Sequence, residues 1–250
     1  MPIIIKSENE IELMRKSGRI LAEILEELES YIKPGISTLD IDKKCYDLIK
    51  SYNCIPSFLN YNGFPASICI SINDEVVHGI PNEKNIIRDG DIVSLDCGVI
   101  YEGYHSDAAR TIPVGEITKE AENLIKVTRQ SFYEGIKLAK AGKHLHEISE
   151  AIQEYVESFG FSVVRELVGH GIGKDLHEDP QVPNFKQKNR GPRLEAGMTL
   201  AIEPMVNAGR YEVDWLDDDW TVITKDGSLS AHYENTILIT DGEPEILTKL

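Results

Sequence analysis

The sequence predicts an α+β fold with two similar halves in a single domain spanning residues 1–250. Helix-like segments followed by strand-like segments occur twice along the chain, which is the pattern of helices packed on sheets. No Ser/Gly-rich linker or low-complexity stretch separates the halves, and no sequence repeat relates them. Hydrophobic residues make up 41% of the chain, so a sizeable core is expected.

The first half is predicted to begin with two helices. Ser7 and Glu10 form a capping-box pattern, and apolar residues then recur at helical spacing until Pro34 and Gly35 end the segment. A second helix is expected over 38–52. The segments "SICISIN", "DIVSLDCGVIY" and "HSDAARTIPVG" are rich in β-branched residues and predict three strands.

The second half repeats this order. Helices are expected near 119–141 and 145–159, with Gly142 and Gly160 suited to their C-terminal ends. The strand-like segments "MTLAIEPMV", "WTVIT" and "YENTILIT" follow. The acidic stretch "EVDWLDDDW" precedes one of them and is interpreted as a solvated turn.

Composition narrows the class of protein. A net charge of −16 argues against a general DNA- or RNA-coating role, because phosphate binding requires clustered Lys and Arg. None of the four cysteines forms a CxxC pair, which favours reduced thiols in a cytosolic protein. The N-terminal stretch lacks the pattern of a signal peptide, and no apolar run approaches the ~20 residues of a membrane span. We therefore expect a cytoplasmic protein with no membrane partner and no specific nucleic-acid partner.

Two aspartates are predicted to share one face of a hairpin. If Glu102 and Gly103 form a two-residue turn, Tyr101 faces Tyr104 and Asp107 lies opposite Gly98. Asp96 is two residues from Gly98, so both carboxylates project from the same face and can converge on one ion or an adjacent pair. Two alternatives stay open: a three-residue loop places Asp107 on the other face, or both aspartates are surface residues of an amphipathic strand.

Glu203 and Glu234 lie within apolar strand segments, where a carboxylate is costly unless it is paired, hydrogen-bonded or metal-bound. With the two aspartates they could neutralise two divalent ions, and His170 in "GHGIG" could add a nitrogen ligand. The flanking glycines would permit close backbone approach and positive φ. His232 is expected on the strand face opposite to Glu234 and is left out of the site. His144 and His146 are interpreted as surface residues.

The stretches "NYNGFPASICISINDEVVHGIP", "SLDCGVIYEGYHSDAART", "GHGIGKDLHEDPQVPN", "MTLAIEPMV" and "SAHYENTILIT" together resemble the motifs of type I methionine aminopeptidases. This resemblance spans nearly the whole chain. It implies the "pita-bread" fold, in which two pseudo-symmetric αβ halves hold metals on a curved antiparallel sheet. It also implies removal of the initiator methionine when the second residue is small.

The resemblance implies a role for each matching residue. The metal ligands would be Asp96, Asp107, His170, Glu203 and Glu234, holding two divalent ions among Co, Mn, Fe or Zn. Glu203 would also act as the base for the attacking water. His78 would contact the scissile amide nitrogen, and His177 would contact the scissile carbonyl oxygen.

A side-chain pocket is also implied, formed by Tyr61, Phe64, Cys69, Leu176 and Trp220. An apolar, aromatic and sulfur-bearing wall suits a polarizable thioether. Phe64 and Leu176 stand where some relatives carry Tyr and Phe, and Gly98 replaces a hydroxyl residue beside the metal. A monovalent-cation loop around Asn73 and Ser230 also matches.

Two other functions are weighed against this one. A proline-specific peptidase shares the fold and similar ligands but usually carries a large extra N-terminal domain, for which about 95 residues before Asp96 leave little room. A non-catalytic peptide-binding relative would typically lose ligands, and all are present here. For the favoured function, the expected partners are nascent polypeptide N-termini with transient ribosome contact, and the expected state is a monomer.

Overall fold

The structure is a computed structural model that describes residues 2–250. Four α-helices are present, two in each half: α1 (Glu8–Tyr31), α2 (Thr38–Ser51), α3 (Lys119–Ile136) and α4 (Leu145–Ser158). The strands of the first half are β1 (Ile55–Pro56), β2 (Ile68–Ile72), β3 (Glu75–Val77), β4 (Ile92–Tyr101) and β5 (Tyr104–Pro113). Those of the second half are β6 (Ser162–Val163), β7 (Gly169–Gly171), β8 (Glu178–Val182), β9 (Thr199–Ile202), β10 (Met205–Asn207), β11 (Val213–Trp215), β12 (Val222–Thr224), β13 (Ser230–His232), β14 (Asn235–Leu238) and β15 (Glu245–Ile246).

Helix α1 begins at the predicted capping box. The Glu10 carboxylate accepts hydrogen bonds from the Ser7 backbone N–H at 2.8 Å and from Ser7 Oγ at 2.7 Å. These bonds satisfy donors that the first turn of a helix leaves free. The helix then packs its apolar face over β4 and β5, where Ser17 Oγ donates to the Val99 carbonyl at 3.0 Å.

The β4–β5 hairpin has the predicted register. Tyr101 pairs with Tyr104 and Gly98 with Asp107, so the loop is the two-residue turn Glu102-Gly103. Both turn residues have positive φ, 49° and 82°, as the twist of such a hairpin requires. Asp96 and Asp107 therefore lie on the same face, and the three-residue alternative is wrong.

Helix α3 is shorter than predicted. It ends at Ile136, where the chain tightens into turns with Leu138 N–H bonded to the Gly135 carbonyl and Ala139 N–H to the Ile136 carbonyl, each at 3.0 Å. Gly142, with φ of 88°, thus lies in the connection to α4 and not at the end of α3. The acidic stretch "EVDWLDDDW" is also only partly a turn. Its first part forms β11, which pairs with β12, and the rest forms the loop between these two strands.

Each half has its own hydrophobic cluster. Helices α1 and α2 pack on β2 and β4. Helices α3 and α4 pack on the three-stranded sheet ordered β13-β10-β6 and share a core with β9 and β14 of the five-stranded sheet ordered β15-β14-β9-β7-β8. All pairings between these described strands are antiparallel. Among the described residues, no helix is both long and apolar enough to span a membrane.

The two halves join where β5 lies beside β14. Asp107 N–H donates to Thr236 Oγ1 and Thr236 Oγ1 donates to the Asp107 carbonyl, both at 2.9 Å. Glu234 N–H donates to the Ala109 carbonyl at 3.0 Å. These bonds bring Asp107 of the first half next to Glu234 of the second, which the sequence separates by more than half the chain.

Candidate metal centre and substrate pocket

A cavity of about 170 Å³ contains every residue predicted for the site. Acidic and histidine side chains line one part, and apolar side chains line the other. The lining residues are Phe58, Tyr61, Asn62, Phe64, Cys69, His78, Asp96, Asp107, His170, Leu176, His177, Glu203, Trp220 and Glu234. Phe58 and Asn62 are additions that the sequence analysis missed, although both flank the predicted pocket residue Tyr61.

The acidic part gathers carboxylates from both halves around one histidine. One ligand atom from each of Asp107, His170 and Glu234 lies within 4.8 Å of the others. His170 Nε2 is 3.9 Å from Asp107 Oδ2 and 3.7 Å from Glu203 Oε1. Asp96 lies close enough to Asp107 for each carboxyl group to affect the pKa of the other. The structure thus brings together all five predicted ligands.

Burial strongly perturbs these carboxyl groups. It raises the pKa of Asp96 to about 7 and that of Glu203 to about 8. The pKa values of Asp107 and Glu234 lie well above the ordinary range, first because of burial and then because of the neighbouring acids. The cluster therefore disfavours its own ionisation and favours any cation that neutralises it.

The hydrogen-bonding state of the cluster fits divalent metal ions. Asp96 Oδ1, Asp107 Oδ1 and Glu234 Oε1 are buried without a hydrogen-bond partner in the part of the chain that the structure describes. Within residues 2–250, no Lys or Arg side chain forms an ion pair with these acids. Buried anionic oxygens without a partner are costly, and coordination of a divalent cation removes that cost.

His170 is held in the form that a metal ligand needs. Its Nδ1 lies 2.9 Å from the Gly171 carbonyl, an acceptor, so the proton resides on Nδ1 and Nε2 presents its lone pair to the acids. Burial lowers the pKa of His170 to about 3, which keeps the ring neutral. The neighbouring glycines are required by close approach: a Cβ at Gly169 would lie 2.4 Å from the Ala201 carbonyl oxygen, and one at Gly171 would lie 2.3 Å from that of Asp179. The prediction of positive φ at these two glycines is wrong.

The ring of His177 meets that of His170 edge to face but has a different hydrogen-bond partner. Its ring centroid is 4.2 Å from that of His170, and its Nδ1 is 2.7 Å from the Tyr61 hydroxyl. Burial lowers the pKa of His177 and raises that of Tyr61, so both groups are neutral at pH 7. When the phenol donates to Nδ1, the imidazole proton resides on Nε2, which is then a hydrogen-bond donor.

His78 occupies a strained backbone conformation beside the cavity. Its φ is 61°, in the left-handed region that non-glycine residues rarely adopt. The ring packs edge-on against Trp220 with centroids 6.4 Å apart. Burial, followed by the proximity of His232 and His177, lowers its pKa to about 4, so the ring is a neutral hydrogen-bonding group at pH 7.

The apolar part of the cavity is built from rings and small aliphatic groups. Phe64 and Trp220 meet edge to face with centroids 5.1 Å apart, while Cys69 and Leu176 are buried in the same cluster. Burial raises the pKa of the Cys69 thiol well above its usual range, so it behaves as an apolar, polarizable wall.

Close packing explains why position 98 of this chain is a glycine. A Cβ there would lie 2.7 Å from Ser57 Cβ and 2.9 Å from Phe58 Cε1. The ring of Phe58 thus occupies the space that a side chain at position 98 would need, and Phe58 itself becomes part of the cavity wall.

The prediction that His232 points away from Glu234 is wrong. Its Nε2 lies 3.6 Å from Glu203 Oε2 and 3.9 Å from Glu234 Oε2, and the side chain is 1% exposed. Residues two positions apart in an extended chain face the same side, so the spacing of His232 and Glu234 is the signal that was misjudged. His144 and His146 do not line the cavity and bond the Gly191 and Arg190 carbonyls near the surface, as predicted.

The predicted monovalent-cation residues are neighbours. Ser230 N–H donates to the Asn73 carbonyl at 2.8 Å, and Asn73 has a positive φ of 58°. The Asn73 side chain bonds Asp91 Oδ1 and the Ile92 N–H, so it holds the shape of this corner.

The sequence model of metallopeptidase family M24 matches residues 12–241. The chain belongs to metallopeptidase family M24. Within this family, it is 58% identical to a methionine aminopeptidase of Clostridium acetobutylicum over 246 residues, which cover 98% of each protein. The crystal structure of a methionine aminopeptidase from Thermotoga maritima superposes with a TM-score of 0.97 at 45% identity, covering 100% of both chains. The predicted resemblance and the pita-bread fold of this M24 chain are confirmed.

Proline-specific members of family M24 are more distant from this chain. The Xaa-Pro dipeptidase of Bacillus anthracis is 25% identical, with a TM-score of 0.79. The match covers 98% of this chain but only 62% of the dipeptidase. The shared part is the M24 fold, and the additional length of the dipeptidase agrees with the expectation that such enzymes carry a further region.

Proposed function

We propose that this protein is a methionine aminopeptidase, a metal-dependent hydrolase that removes the initiator methionine from polypeptides whose second residue is small. The observation that carries the proposal is the juxtaposition of a buried carboxylate–histidine centre with an apolar, aromatic pocket in one cavity. The full-length similarity to proteins named methionine aminopeptidase supports the same activity.

The metal would be held by Asp96, Asp107, His170, Glu203 and Glu234. Four carboxylates neutralise two divalent ions, and this oxygen-rich set with one imidazole suits Mn(II), Fe(II), Co(II) or Zn(II). Such ions, when bound, lower the pKa of water and polarise a carbonyl group. The orientation of His170 by the Gly171 carbonyl is the kind of support that metal-binding histidines receive in proteins.

Glu203 is assigned as the general base. Its side chain retains 14% exposure to the cavity, more than those of Asp107 or Glu234, so it can reach both the metal centre and an attacking water. A carboxylate in that position accepts the proton of the water as it attacks the carbonyl carbon after the first residue, and later returns it to the leaving amine.

His177 and His78 are assigned to the two atoms of the scissile amide. With Tyr61 bonded to Nδ1, the Nε2–H of His177 is a donor for the oxygen on which negative charge develops. His78, neutral and held at positive φ against Trp220, contacts the amide nitrogen. Removal of a single donor of this type reduces turnover by about 100-fold or more.

The apolar wall of the cavity selects the side chain of the first residue of the substrate. Tyr61, Phe64, Cys69, Leu176 and Trp220 present rings and one sulfur, which pack well on the flexible, polarizable thioether of methionine. Phe58 closes this wall beside Gly98 and adds a further ring edge.

The biological setting is part of the same proposal. The substrates are nascent polypeptide N-termini, met during transient ribosome contact in the cytoplasm, and the enzyme acts as a monomer with one catalytic domain over residues 1–250. A monovalent cation is proposed at the corner formed by Asn73 and Ser230, where the positive φ of Asn73 turns the chain.

The deciding experiment compares hydrolysis of Met-Ala-Ser and a matched Ala-Pro peptide by metal-free protein to which Mn(II), Fe(II), Co(II) or Zn(II) is restored singly. We expect metal-dependent release of methionine alone, and Glu203→Gln, reloaded with the same metal, should be at least about 100-fold slower. Preferential cleavage before proline would transfer the assignment to the proline-specific branch. Stoichiometric metal binding without cleavage of either peptide would overturn the enzymatic assignment.

A further inference from the structure

Glu203 lies between two imidazole rings, and each ring is close to a different oxygen of its carboxylate. His170 Nε2 is 3.7 Å from Oε1, and His232 Nε2 is 3.6 Å from Oε2. His170 belongs to the proposed ligand set, whereas His232 has no role in the function described so far. The two rings also differ in the surroundings of Nδ1. That difference determines whether Nε2 of each ring carries a proton and donates it or presents a lone pair.

The carboxylates beside its ring favour for His232 the tautomer opposite to that of His170. The Nδ1 of His170 faces the Gly171 carbonyl and carries the proton, which leaves Nε2 as an acceptor. Neither ring nitrogen of His232 has a hydrogen-bond partner in the part of the chain that the structure describes. The Nε2 of His232 lies 3.6 Å from Glu203 Oε2 and 3.9 Å from Glu234 Oε2, just beyond hydrogen-bond distance, whereas no such acceptor lies near Nδ1. A proton on Nε2 is therefore attracted to acceptors, whereas a proton on Nδ1 would have none.

The Thr111 hydroxyl holds the backbone of His232 in place through two hydrogen bonds. Thr111 Oγ1 accepts from the His232 N–H at 2.8 Å and lies 2.8 Å from the His232 carbonyl. The side chain is 1% exposed, so its ring is confined among packed neighbours. A shift of the Glu203 carboxylate by roughly half an ångström brings its oxygen within hydrogen-bond distance of Nε2, near 3 Å.

We propose that His232 is a positioning residue whose Nε2–H holds the Glu203 carboxylate, so that the other oxygen of Glu203 faces the metal centre. His232 is thus a donor to a ligand and not itself a ligand. This inference rests on the proposed function, because it assigns His232 to the metal centre described above. Hydrogen bonds from outer side chains to metal ligands typically change metal affinity by 10–100-fold.

The test uses the full-length protein in three forms: wild type, His232→Leu and His232→Gln. Leucine fills much of the space without a donor, whereas the glutamine amide restores an N–H. Binding of Mn(II) to metal-free protein is measured by titration calorimetry, and the visible spectrum of the Co(II) form reports the ligand set. We expect His232→Leu to bind Mn(II) 10–100-fold more weakly with a lower kcat for methionine release, and His232→Gln to stay within about threefold with an unchanged Co(II) spectrum.

Each other outcome contradicts a specific part of the inference. Wild-type affinity and kcat in His232→Leu would show that the ring positions nothing. Equal losses in both variants would assign His232 to packing alone, and an altered Co(II) spectrum in His232→Gln would make it a ligand. If His232→Leu does not fold, His232→Asn replaces it, because its shorter amide cannot reach Glu203 and the same loss is expected. Absence of metal binding by the wild type would overturn the proposed function itself.

Discussion

The Tyr61 hydroxyl lies 2.7 Å from His177 Nδ1, and the two rings are tilted by 49° with centroids 5.2 Å apart. Tyr61 belongs to a 3₁₀ turn of the first half, whereas His177 lies just before β8 in the second half. One residue thus lines the side-chain pocket and also sets the tautomer of a proposed catalytic histidine. This hydrogen bond therefore links the pocket proposed to select the substrate's first side chain to the histidine proposed to stabilise the oxyanion.

Removal of the hydroxyl should slow the chemical step. We expect Tyr61→Phe to lower kcat for Met-Ala-Ser about tenfold with little change in KM, because a hydrogen bond worth about 1.4 kcal/mol no longer fixes the proton on His177 Nε2. Steady-state kinetics measure both constants. Tyr104→Phe is the matched control: it removes a 2.7 Å bond to Glu10 outside the cavity and should leave kcat unchanged. Equal kcat in Tyr61→Phe and wild type would contradict the orienting role of Tyr61.

The raised pKa of Glu203 predicts how the stability of the metal-free protein depends on pH. Its folded pKa of about 8 exceeds the ordinary 4.5, so between these values the folded state binds the additional proton. Stability is therefore lost as pH rises toward 8, while the buried histidines are already neutral in both states above pH 7. We expect the melting temperature of metal-free protein to fall between pH 7 and 8.5, and to fall less in Glu203→Gln. A melting temperature that rises over this range, or identical slopes, would exclude this explanation.

Metal loading should release protons. The pKa values of Asp96, about 7, and Glu203, about 8, mean that part of the cluster is protonated at pH 7 before a cation binds. Since ligands bind as carboxylates, we expect Mn(II) affinity to increase from pH 6 to pH 8, with net proton release at pH 7. Calorimetric titration in buffers of different ionisation enthalpy measures the number of protons released. Buffer-independent enthalpy at pH 7 would show that the site is already ionised.

A side chain at position 98 should destabilise the fold. Gly98→Ala places a Cβ within 3 Å of Ser57 and Phe58, and such overpacking costs about 1–3 kcal/mol. Chemical denaturation measures the change in free energy of unfolding. Gly242→Ala is the control, because a Cβ there meets only Thr240 Oγ1 at 3.9 Å. If Gly98→Ala is as stable as Gly242→Ala, the packing of Phe58 does not require glycine.

The ion pair between Lys6 and Glu178 should be needed to hold the segment that carries His177. Their side chains are 3% and 4% exposed, so Lys6→Met leaves a buried carboxylate without its cation. We expect a loss of about 3–5 kcal/mol in the free energy of unfolding. The double variant Lys6→Met/Glu178→Gln removes that charge and should recover part of the loss. A double variant less stable than Lys6→Met would show that the unpaired charge is not the cause.

Local structure followed from local sequence. The register of the β4–β5 hairpin was predictable because a two-residue turn determines every pair along both strands, and the helix start at Ser7 was predictable because capping involves residues three positions apart. The prediction for His232 was wrong because side chains two positions apart in an extended chain, such as those of His232 and Glu234, face the same side. Phe58 was missed because nothing in its neighbourhood shows that it fills the space above Gly98, a contact between the bend after β1 and strand β4.

The sequence by itself determined the elements, the shared face of Asp96 and Asp107, and the resemblance that named the other ligands. Tertiary structure decided that these ligands meet: the bonds between β5 and β14 place Asp107 beside Glu234, and the packing of β7 on β9 places His170 beside Glu203. Turns and caps are governed by short-range geometry that a few residues specify. The convergence of acids from distant segments depends on how two hydrophobic cores pack together, and the folding energy of those cores is what holds unpaired carboxylates close enough to bind a cation.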